Sequence, residues 1–222
     1  MNSKKLAADK AVSFVSDGMV VGLGTGSTAY WAIEGIGERM RKEGLKLKAI
    51  ATSTQSEKQA RGLGIPIVSF AEIDEIDLTI DGADEADAGK NLIKGGGGAL
   101  LREKIVASNS KMLIIIVDQS KLVETLGKFP LPVEATVFGW EKTYKKLQGL
   151  GCVPGLRKEQ SKPFVTDNGN YIIDCQFNQI RDPADLQERI NAITGVVDNG
   201  LFVKLASKII AGYEDGSTRI ID

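Results

Sequence analysis

Hydrophobic and polar residues follow a pattern along the chain that predicts strands and helices in alternation. Short apolar runs predict strands, and longer stretches with apolar residues at helical spacing predict the helices between them. The second predicted helix shows the spacing clearly, because Ala29, Ile33, Ile36 and Met40 recur every three or four residues. Strands that alternate with helices predict an α/β fold with a parallel sheet covered on both faces.

The first part of the chain carries most of this alternation. The predicted elements are a helix over 3–17, strands over 19–23 and 47–51, helices that begin near Ala29 and at Thr52–Thr54, strands over 65–68 and 76–80, a helix over 99–108 and a strand over 112–117. Ser53 or Thr54 is the expected N-cap of the third helix, because a hydroxyl there accepts a backbone N–H of the first turn.

The pattern changes after Pro130 and Pro132, where shorter segments predict a small α+β region up to about residue 197. Its predicted elements are a helix over 139–148, strands near 153, 164 and 171–174, and a helix that begins at Pro183 with Asp182 as its cap. The turn Asp167–Asn170 between two apolar runs predicts a hairpin. Three C-terminal strands, over 201–205, 209–211 and 219–221, have the pattern needed to rejoin the first sheet.

Composition and charge narrow the class of protein. The chain of 222 residues is 42% hydrophobic and 26% charged, which is ordinary for a folded protein. Its 28 basic and 29 acidic residues give a net charge of −1, so no basic field attracts nucleic acid or an acidic membrane. The longest apolar run, 112–117, is too short to span a bilayer, and the N-terminus lacks a signal-peptide core. Cys152 and Cys175 make neither a disulfide scaffold nor a four-ligand metal site, so we expect a cytoplasmic protein.

The absence of histidine excludes several kinds of catalysis. The sequence contains no histidine, which removes Ser-His-Asp and Cys-His catalysis, histidine-bound zinc and imidazole as a general base. If the protein is an enzyme, its proton transfers therefore depend on Asp, Glu, Lys, Tyr or Cys.

The first candidate site is the glycine-rich turn Gly22–Thr28, which lies between a predicted strand and a predicted helix. Backbone N–H groups and the dipole at a helix N-terminus favour an anion such as phosphate. The dinucleotide fingerprint is incomplete, because its third glycine is replaced by Ser27, and no Gly-Lys-Ser/Thr follows to make a P-loop. A tight turn that needs glycine for steric reasons is the alternative.

The second candidate site is Asp81–Glu85, directly after a predicted strand. Carboxylates at the carboxyl end of a parallel strand face the crevice where such sheets bind ligands. A solvated acidic turn is the plain alternative. The spacing of the acidic residues does not match a calcium-binding loop, but the sequence alone does not exclude a magnesium site.

Two further candidates follow later strands. Lys94–Gly98 has four consecutive glycines before a predicted helix, which favours close approach of a ligand to bare backbone N–H groups. Glu103 lies in that helix, where an ordinary surface glutamate is the alternative. Lys121 follows the apolar strand 112–117, and a lysine there binds phosphate as a point charge unless it is simply a surface residue.

All four candidates follow strands of one predicted parallel sheet, so we expect them to meet along one edge. An anion cradle, carboxylates and lysines without a metal ligand set or a nicotinamide signature suit cofactor-free proton transfer on a phosphorylated small molecule. A base would remove a proton next to a carbonyl, and cations or N–H groups would stabilise the enediolate oxygen.

The sequence resembles ribose-5-phosphate isomerase of the A type over essentially the whole chain. The resemblance rests on these co-linear segments: Gly22–Thr28, Asp81–Glu85, Lys94–Gly97 with Arg102–Lys104, Asp118–Lys121, Gly127–Glu134 and Thr166–Asn170. It implies a Rossmann-like α/β catalytic domain over 1–127 and 200–222, and an α+β lid and oligomerisation domain over 128–199. It also implies a homodimer or homotetramer that needs neither metal nor cofactor.

The resemblance further implies the conversion of ribose 5-phosphate to ribulose 5-phosphate through an enediolate. Glu103 would be the general base, Lys94 would stabilise the oxyanion, and Asp81 and Asp84 would hold the sugar hydroxyls and help to open the ring. The residues implied to bind the substrate and its phosphate are Thr25, Gly26, Ser27, Thr28, Asp81, Gly82, Ala83, Asp84, Lys94, Gly95, Gly96, Gly97 and Lys121, with Lys4 as a weaker candidate. Departures from the family pattern at Thr136 and Asn199 lie outside the catalytic set.

The sequence supports three other functions less well. A sugar-phosphate sensor would need a DNA-binding module for which the chain has no basic segment or spare length. A sugar-phosphate deaminase or acyl-CoA transferase is disfavoured by the lack of histidine and of a CoA-binding signal. A nicotinamide oxidoreductase is disfavoured by the incomplete glycine fingerprint and by Thr52–Thr54, which occupies the place of its ribose-binding acid.

Overall fold

The computed structural model describes residues 2–222. The helices are α1 (Ser3–Val12), α2 (Ala29–Glu43), α3 (Thr54–Gly62), α4 (Leu100–Ser108), α5 (Trp140–Gln148) and α6 (Pro183–Asn191). The strands are β1 (Val20–Leu23), β2 (Lys48–Ala51), β3 (Leu78–Gly82), β4 (Glu85–Ala86), β5 (Leu92–Ile93), β6 (Leu113–Asp118), β7 (Leu131–Ala135), β8 (Val153–Leu156), β9 (Lys158–Glu159), β10 (Lys162–Pro163), β11 (Tyr171–Gln176), β12 (Val196–Asn199), β13 (Leu201–Phe202), β14 (Lys208–Gly212) and β15 (Thr218–Ile221). Short 3₁₀ helices cover Phe70–Glu72 and Gln119–Lys121.

The chain forms two compact units. The first unit consists of the chain up to Ala83 together with Arg102–Leu122 and Lys204–Asp222, and the second consists of Asp84–Leu101 and Val123–Val203. The family resemblance implies one boundary near 127 and another near 200. In the structure residues 84–101 belong to the second unit, because β5 pairs with both β4 and β13 there.

The first unit is built on a six-stranded sheet in the order β15-β14-β6-β3-β1-β2. Its strands are parallel except for β15, which pairs antiparallel with β14. Side chains of α1, α2 and α3 pack with Val21, Leu23 and Ile80 on one face. On the other face Val106 of α4 packs with Ile50 and Ile76. The predicted α/β class, with a mostly parallel sheet covered on both faces, is therefore confirmed.

Asp77 ties the start of β3 to the start of β1. Its carboxylate accepts hydrogen bonds from the Val20 N–H at 2.9 Å and from Lys111 Nζ at 3.0 Å. The Val20 amide, followed by Lys111, lowers the pKa of the Asp77 carboxyl below its ordinary value. A carboxyl with a lowered folded-state pKa stabilises the fold above its unfolded pKa, and this stabilisation is lost as the pH falls through the folded-state pKa.

Asp77→Asn is therefore expected to lower the free energy of unfolding at pH 7 by about 1 kcal/mol, the usual net value of a hydrogen bond. At pH 3 the difference between the variant and the parent should shrink, because pH 3 lies below the ordinary pKa of an aspartate carboxyl, about 3.9, and the stabilisation falls as the pH drops from there. Urea titrations followed by circular dichroism at both pH values measure it. Asp74→Asn, at an exposed carboxyl three residues earlier, is the control. An equal loss at pH 7 and pH 3 would contradict the electrostatic origin.

The second unit contains a four-stranded antiparallel sheet in the order β12-β7-β11-β8. Leu147 of α5 and Ile190 of α6 pack with Val133 and Ile173 of that sheet. A smaller sheet, in the order β13-β5-β4, completes the unit. The predicted α+β character is thus observed.

The predicted caps of α3 and α6 and the predicted turn at 167–170 are present in the structure. The Ser53 side chain accepts the Ser56 N–H at the start of α3, and the Asp182 side chain accepts the Asp185 N–H at the start of α6. In the predicted hairpin turn Gly169 has a φ of +80°, a value that favours glycine. None of the helices within residues 2–222 is long and apolar enough to cross a bilayer.

Two strand predictions are wrong. Residues 65–68 make a single bridge, between Ile67 and Ala49, rather than a strand. The segment near 201–205 does not rejoin the first sheet, because β13 pairs antiparallel with β5 in the second unit. Short apolar runs carry no information about the partner strand, which is set by contacts distant in sequence. The later C-terminal strands do rejoin the first sheet as β14 and β15.

Candidate functional site

The turn after β1 is joined to Asp81 at the end of β3. Asp81 is 1% exposed, and its Oδ1 accepts the N–H groups of Thr25 at 3.0 Å and Gly82 at 2.7 Å. A Cβ atom on Gly24 would lie 2.2 Å from the same oxygen, so this position requires glycine. The first glycine motif thus brings the backbone close to a buried carboxylate.

Thr25 is also held by a cluster of hydroxyl groups. Its Oγ1 lies 2.7 Å from Thr52 Oγ1 and 2.9 Å from Ser53 Oγ, and Ser56 Oγ donates to the Gly24 carbonyl oxygen at 2.6 Å. Sequence reasoning assigned Thr52–Thr54 only to the start of a helix and missed this cluster. The sequence feature that could have revealed the cluster is the run of hydroxyl residues directly after the second strand. Thr25 therefore fixes the turn with both its amide and its side chain.

The rest of the turn leads into the N-terminus of α2. Gly26 has a φ of +100°, and Gly26 and Ser27 are exposed. Thr28 occupies the N-cap of α2 without capping it through its side chain. Lys4 Nζ donates to Ser27 Oγ at 2.9 Å, which places a cation beside the helix N-terminus. Exposed amides, hydroxyls and a lysine at a helix N-terminus together suit a phosphate group.

Lys121 lies at the same edge of the sheet as this turn. The strands β1, β3 and β6 are adjacent and parallel, so their carboxyl ends share one edge. Asp118 ends β6 and caps the 3₁₀ helix Gln119–Lys121 by accepting the Ser120 N–H at 3.0 Å. The structure therefore brings the turn, Asp81 and Lys121 to one sheet edge, as the sequence predicts.

Glu103 lies in the first turn of α4 and is 4% exposed. Val106, one turn later, packs over β1, since a Cβ atom on Gly22 would lie 2.7 Å from its Cγ1. The far end of α4 adjoins the amino edge of the sheet, where the Lys111 N–H donates to the Ile76 carbonyl at 2.8 Å. Because α4 runs from the carboxyl edge to the amino edge, Glu103 faces the sheet near its carboxyl edge.

In the second unit Asp84 and Lys94 flank a short hairpin. Glu85 pairs with Ile93 across this hairpin, and the Asp84 N–H donates to the Ile93 carbonyl at 2.8 Å. Lys94 is 2% exposed, with its ammonium 5.4 Å from the centre of the Phe202 ring. Asp84 lies directly before β4 and Lys94 directly after β5, so the pairing places the two residues side by side.

Gly200 keeps the backbone of Lys94 in place. The Lys94 N–H donates to the Gly200 carbonyl at 2.9 Å. A Cβ atom on Gly200 would lie 2.2 Å from the Lys94 carbonyl oxygen, so a larger residue would displace the lysine backbone.

The glycine run after Lys94 is folded tightly against its surroundings. The Gly96 N–H donates to Asp84 Oδ2 at 2.8 Å, while Gly95 and Gly98 have φ values of +100° and +78°. A Cβ atom on Gly98 would lie 2.4 Å from the Phe164 ring. The run also contacts Arg157, about sixty residues later, which sequence reasoning missed because no local spacing links the two.

The predicted site residues thus fall into two groups. The expectation that all four motifs follow strands of one parallel sheet is wrong for Lys94–Gly98, because this run follows β5 of the smaller antiparallel sheet. The first unit holds Thr25, Gly26, Ser27, Thr28, Asp81, Gly82, Ala83, Glu103 and Lys121, and the second holds Asp84, Lys94, Gly95, Gly96 and Gly97. The first group can bind an anion beside two buried carboxylates, and the second offers an ammonium group, a carboxylate and the exposed backbone at Gly96 and Gly97. Across residues 2–222, no cluster of three or more Cys, Asp or Glu side chains has the geometry to hold a metal ion.

Comparisons with known proteins give a consistent result. Residues 48–216 match the family model of ribose 5-phosphate isomerase A (phosphoriboisomerase A). The chain is 57% identical over 217 residues to ribose-5-phosphate isomerase A of Bacillus cereus, covering 97% of this chain and 98% of that protein. The ribose 5-phosphate isomerase structure from Plasmodium falciparum superposes with a TM-score of 0.96 at 43% identity, covering 99% and 97% of the two chains. A D-ribose-5-phosphate isomerase in complex with phospho-erythronic acid superposes with a TM-score of 0.96 at 39% identity over 100% of both chains.

Proposed function

The chain belongs to the ribose 5-phosphate isomerase A family of aldose–ketose isomerases, which interconvert ribose 5-phosphate and ribulose 5-phosphate, and we propose that it does so through an enediolate with Glu103 as general base. The observation that carries this proposal is the burial of Glu103 in the first turn of α4, near the carboxyl edge of the sheet that also carries Asp81. A carboxylate in such a position can act on a substrate held by the turn after β1.

The proposed reaction moves one proton between adjacent carbons. The Glu103 carboxylate removes the proton from C2 of the open-chain sugar, and the electrons of that C–H bond form the C1–C2 double bond of an enediolate. The negative charge develops on the former aldehyde oxygen, where the Lys94 ammonium stabilises it. The hydroxyl proton of O2 passes to O1, and return of the proton from Glu103 to C1, with O2 becoming the carbonyl oxygen, gives ribulose 5-phosphate.

The other site residues bind and prepare the sugar in this proposal. Asp81 and Asp84 accept hydrogen bonds from sugar hydroxyls and help the furanose ring to open. Thr25 holds the turn in place through Asp81 and the hydroxyl cluster, so we assign the direct phosphate contacts to residues 26–28 and to Lys121, with Lys4 beside them. The amides of Gly95, Gly96 and Gly97 line the part of the site next to Lys94.

A ligand of one relative supports the enediolate. Phospho-erythronic acid, bound in that solved structure, is a phosphorylated four-carbon sugar acid. Its planar carboxylate carries charge on two oxygens of one carbon, which resembles the charge on the two oxygens of an enediolate. A site that stabilises the transition state binds such an analogue more tightly than it binds substrate.

Turnover in deuterated water tests the proposed proton transfer. Ribulose 5-phosphate formed from ribose 5-phosphate should carry deuterium at C1, because a carboxyl that holds the abstracted proton exchanges it with solvent. Nuclear magnetic resonance of the product measures the label, and product incubated without enzyme gives the background exchange. Product free of deuterium at C1 would contradict solvent-exchanging enolisation and favour a hydride shift or a proton shielded from solvent.

We further propose the domain roles, assembly and location that the resemblance and the composition imply. The catalytic part would be residues 1–127 and 200–222, and residues 128–199 would provide the lid and oligomerisation functions. Assembly as a homodimer or homotetramer is what the resemblance implies, and the adjacent exposed apolar residues Val137 and Phe138 of the second unit are a candidate contact. A cytoplasmic location is supported by the two cysteines, which are buried thiols rather than a disulfide.

A further inference from the structure

Arg157 lies between β8 and β9 in the second unit, and its backbone is held on both sides. Its N–H donates to the Ile172 carbonyl at 2.9 Å, and its carbonyl accepts the Phe164 N–H at 2.9 Å. The Arg157 side chain is 15% exposed. Both the position and the direction of this side chain are therefore fixed by the fold.

The guanidinium group of Arg157 connects a carboxylate to the glycine run. Nη1 donates to the carbonyl oxygens of Gly95 at 2.9 Å and of Gly96 at 3.0 Å. Nε donates to Asp174 Oδ2 at 2.9 Å, and Nη2 pairs with Oδ1 of the same carboxylate. The Phe164 ring centre lies 5.8 Å from Cζ. A planar fork of donors is needed for this arrangement, which the single ammonium of lysine does not provide.

These contacts set the direction of the amides in the run. In a trans peptide the C=O and N–H bonds point in opposite directions. Because Arg157 holds the carbonyls of Gly95 and Gly96, the N–H groups of Gly96 and Gly97 point away from Arg157. The Gly96 N–H accordingly donates to Asp84 Oδ2 at 2.8 Å. A hydrogen bond to each carbonyl also polarises its peptide group and strengthens the N–H on the opposite side.

Consecutive glycines would otherwise have wide conformational freedom, and fixing them in one conformation costs backbone entropy. We propose that Arg157, oriented by Asp174, is a positioning residue: it holds the glycine run and, through Gly96, the Asp84 carboxylate in the geometry that binds the sugar. This inference rests on the proposed function, because it assigns the run and Asp84 to the substrate site. Arg157 itself does not touch the substrate.

Arg157→Lys and Arg157→Gln test the inference, with Arg181→Gln at an exposed arginine as the control. We expect both Arg157 variants to bind phospho-erythronic acid about tenfold more weakly in calorimetry, as loss of one good hydrogen bond would produce. We also expect faster amide exchange confined to residues 95–98. A purely structural role would reduce the active fraction but leave the affinity of the remaining folded enzyme unchanged.

Parent-like affinity and parent-like exchange at 95–98 in folded Arg157→Lys would overturn the positioning role. If Arg157→Gln does not fold, Arg157→Lys decides alone, since it retains the positive charge next to Asp174. Failure of the proposed function would appear differently. The parent enzyme would then show no turnover of ribose 5-phosphate, whereas failure of this inference leaves parent turnover intact.

Discussion

Replacement of Glu103 by glutamine is expected to lower kcat by about 10²–10⁴-fold, the range in which a positioned general base contributes. Glutamine keeps the shape of the side chain, which is 4% exposed in α4, but it cannot accept the C2 proton. We expect KM to change much less than kcat, because binding of the phosphate and hydroxyls is assigned to other residues. Steady-state rates with ribose 5-phosphate measure both constants.

Glu141→Gln is the matched control, because Glu141 also lies in the first turn of a helix and its carboxylate also faces a helix dipole. Its kcat should equal that of the parent. Circular dichroism and thermal unfolding establish that each variant is folded. A folded Glu103→Gln enzyme with near-parent turnover would exclude Glu103 as the base.

The first unit could be predicted largely from sequence because its signals are local. Each strand of its parallel sheet is a short apolar run, and each following turn carries its own glycines and caps, as Ser53 does for α3. Parallel strands then bring their carboxyl ends to one edge without further information. Asp81 and the turn after β1 meet for this reason.

The second unit was harder to predict because its important contacts join distant segments. Arg157 contacts Gly95 and Gly96, and β13 pairs with β5. These partners are far apart in sequence, and the local hydrophobic pattern does not predict such contacts. The assignment of Thr25 shows a related limit. Its motif marks a binding turn, but the hydroxyl cluster that holds its side chain depends on a neighbouring strand and helix. A motif therefore indicates which turn to examine, whereas the contacts of each side chain in that turn depend on segments distant in sequence.

Replacement of Lys94 by methionine should have the second largest effect, a loss of about 10²–10³-fold in kcat, as found for loss of a donor to a developing oxyanion. Lys94 is 2% exposed, and a charge in such surroundings interacts more strongly than one in water. Methionine has a similar length and no charge. The hydrogen bond from the Lys94 N–H to the Gly200 carbonyl does not involve the side chain, so we expect the variant to fold. Lys128→Met, at an exposed lysine, is the control, and a parent-like kcat in Lys94→Met would exclude the oxyanion role.

The double variant Glu103→Gln/Lys94→Met tests whether the two residues act on the same step. If Glu103 removes the proton while Lys94 stabilises the charge that results, the two interactions belong to one transition state and depend on each other. The loss in kcat should then be smaller than the product of the two single losses, because residues that act as a unit are not additive. A loss equal to that product would mean that Lys94 and Glu103 contribute independently, which would contradict the coupled enediolate mechanism while leaving each single result intact.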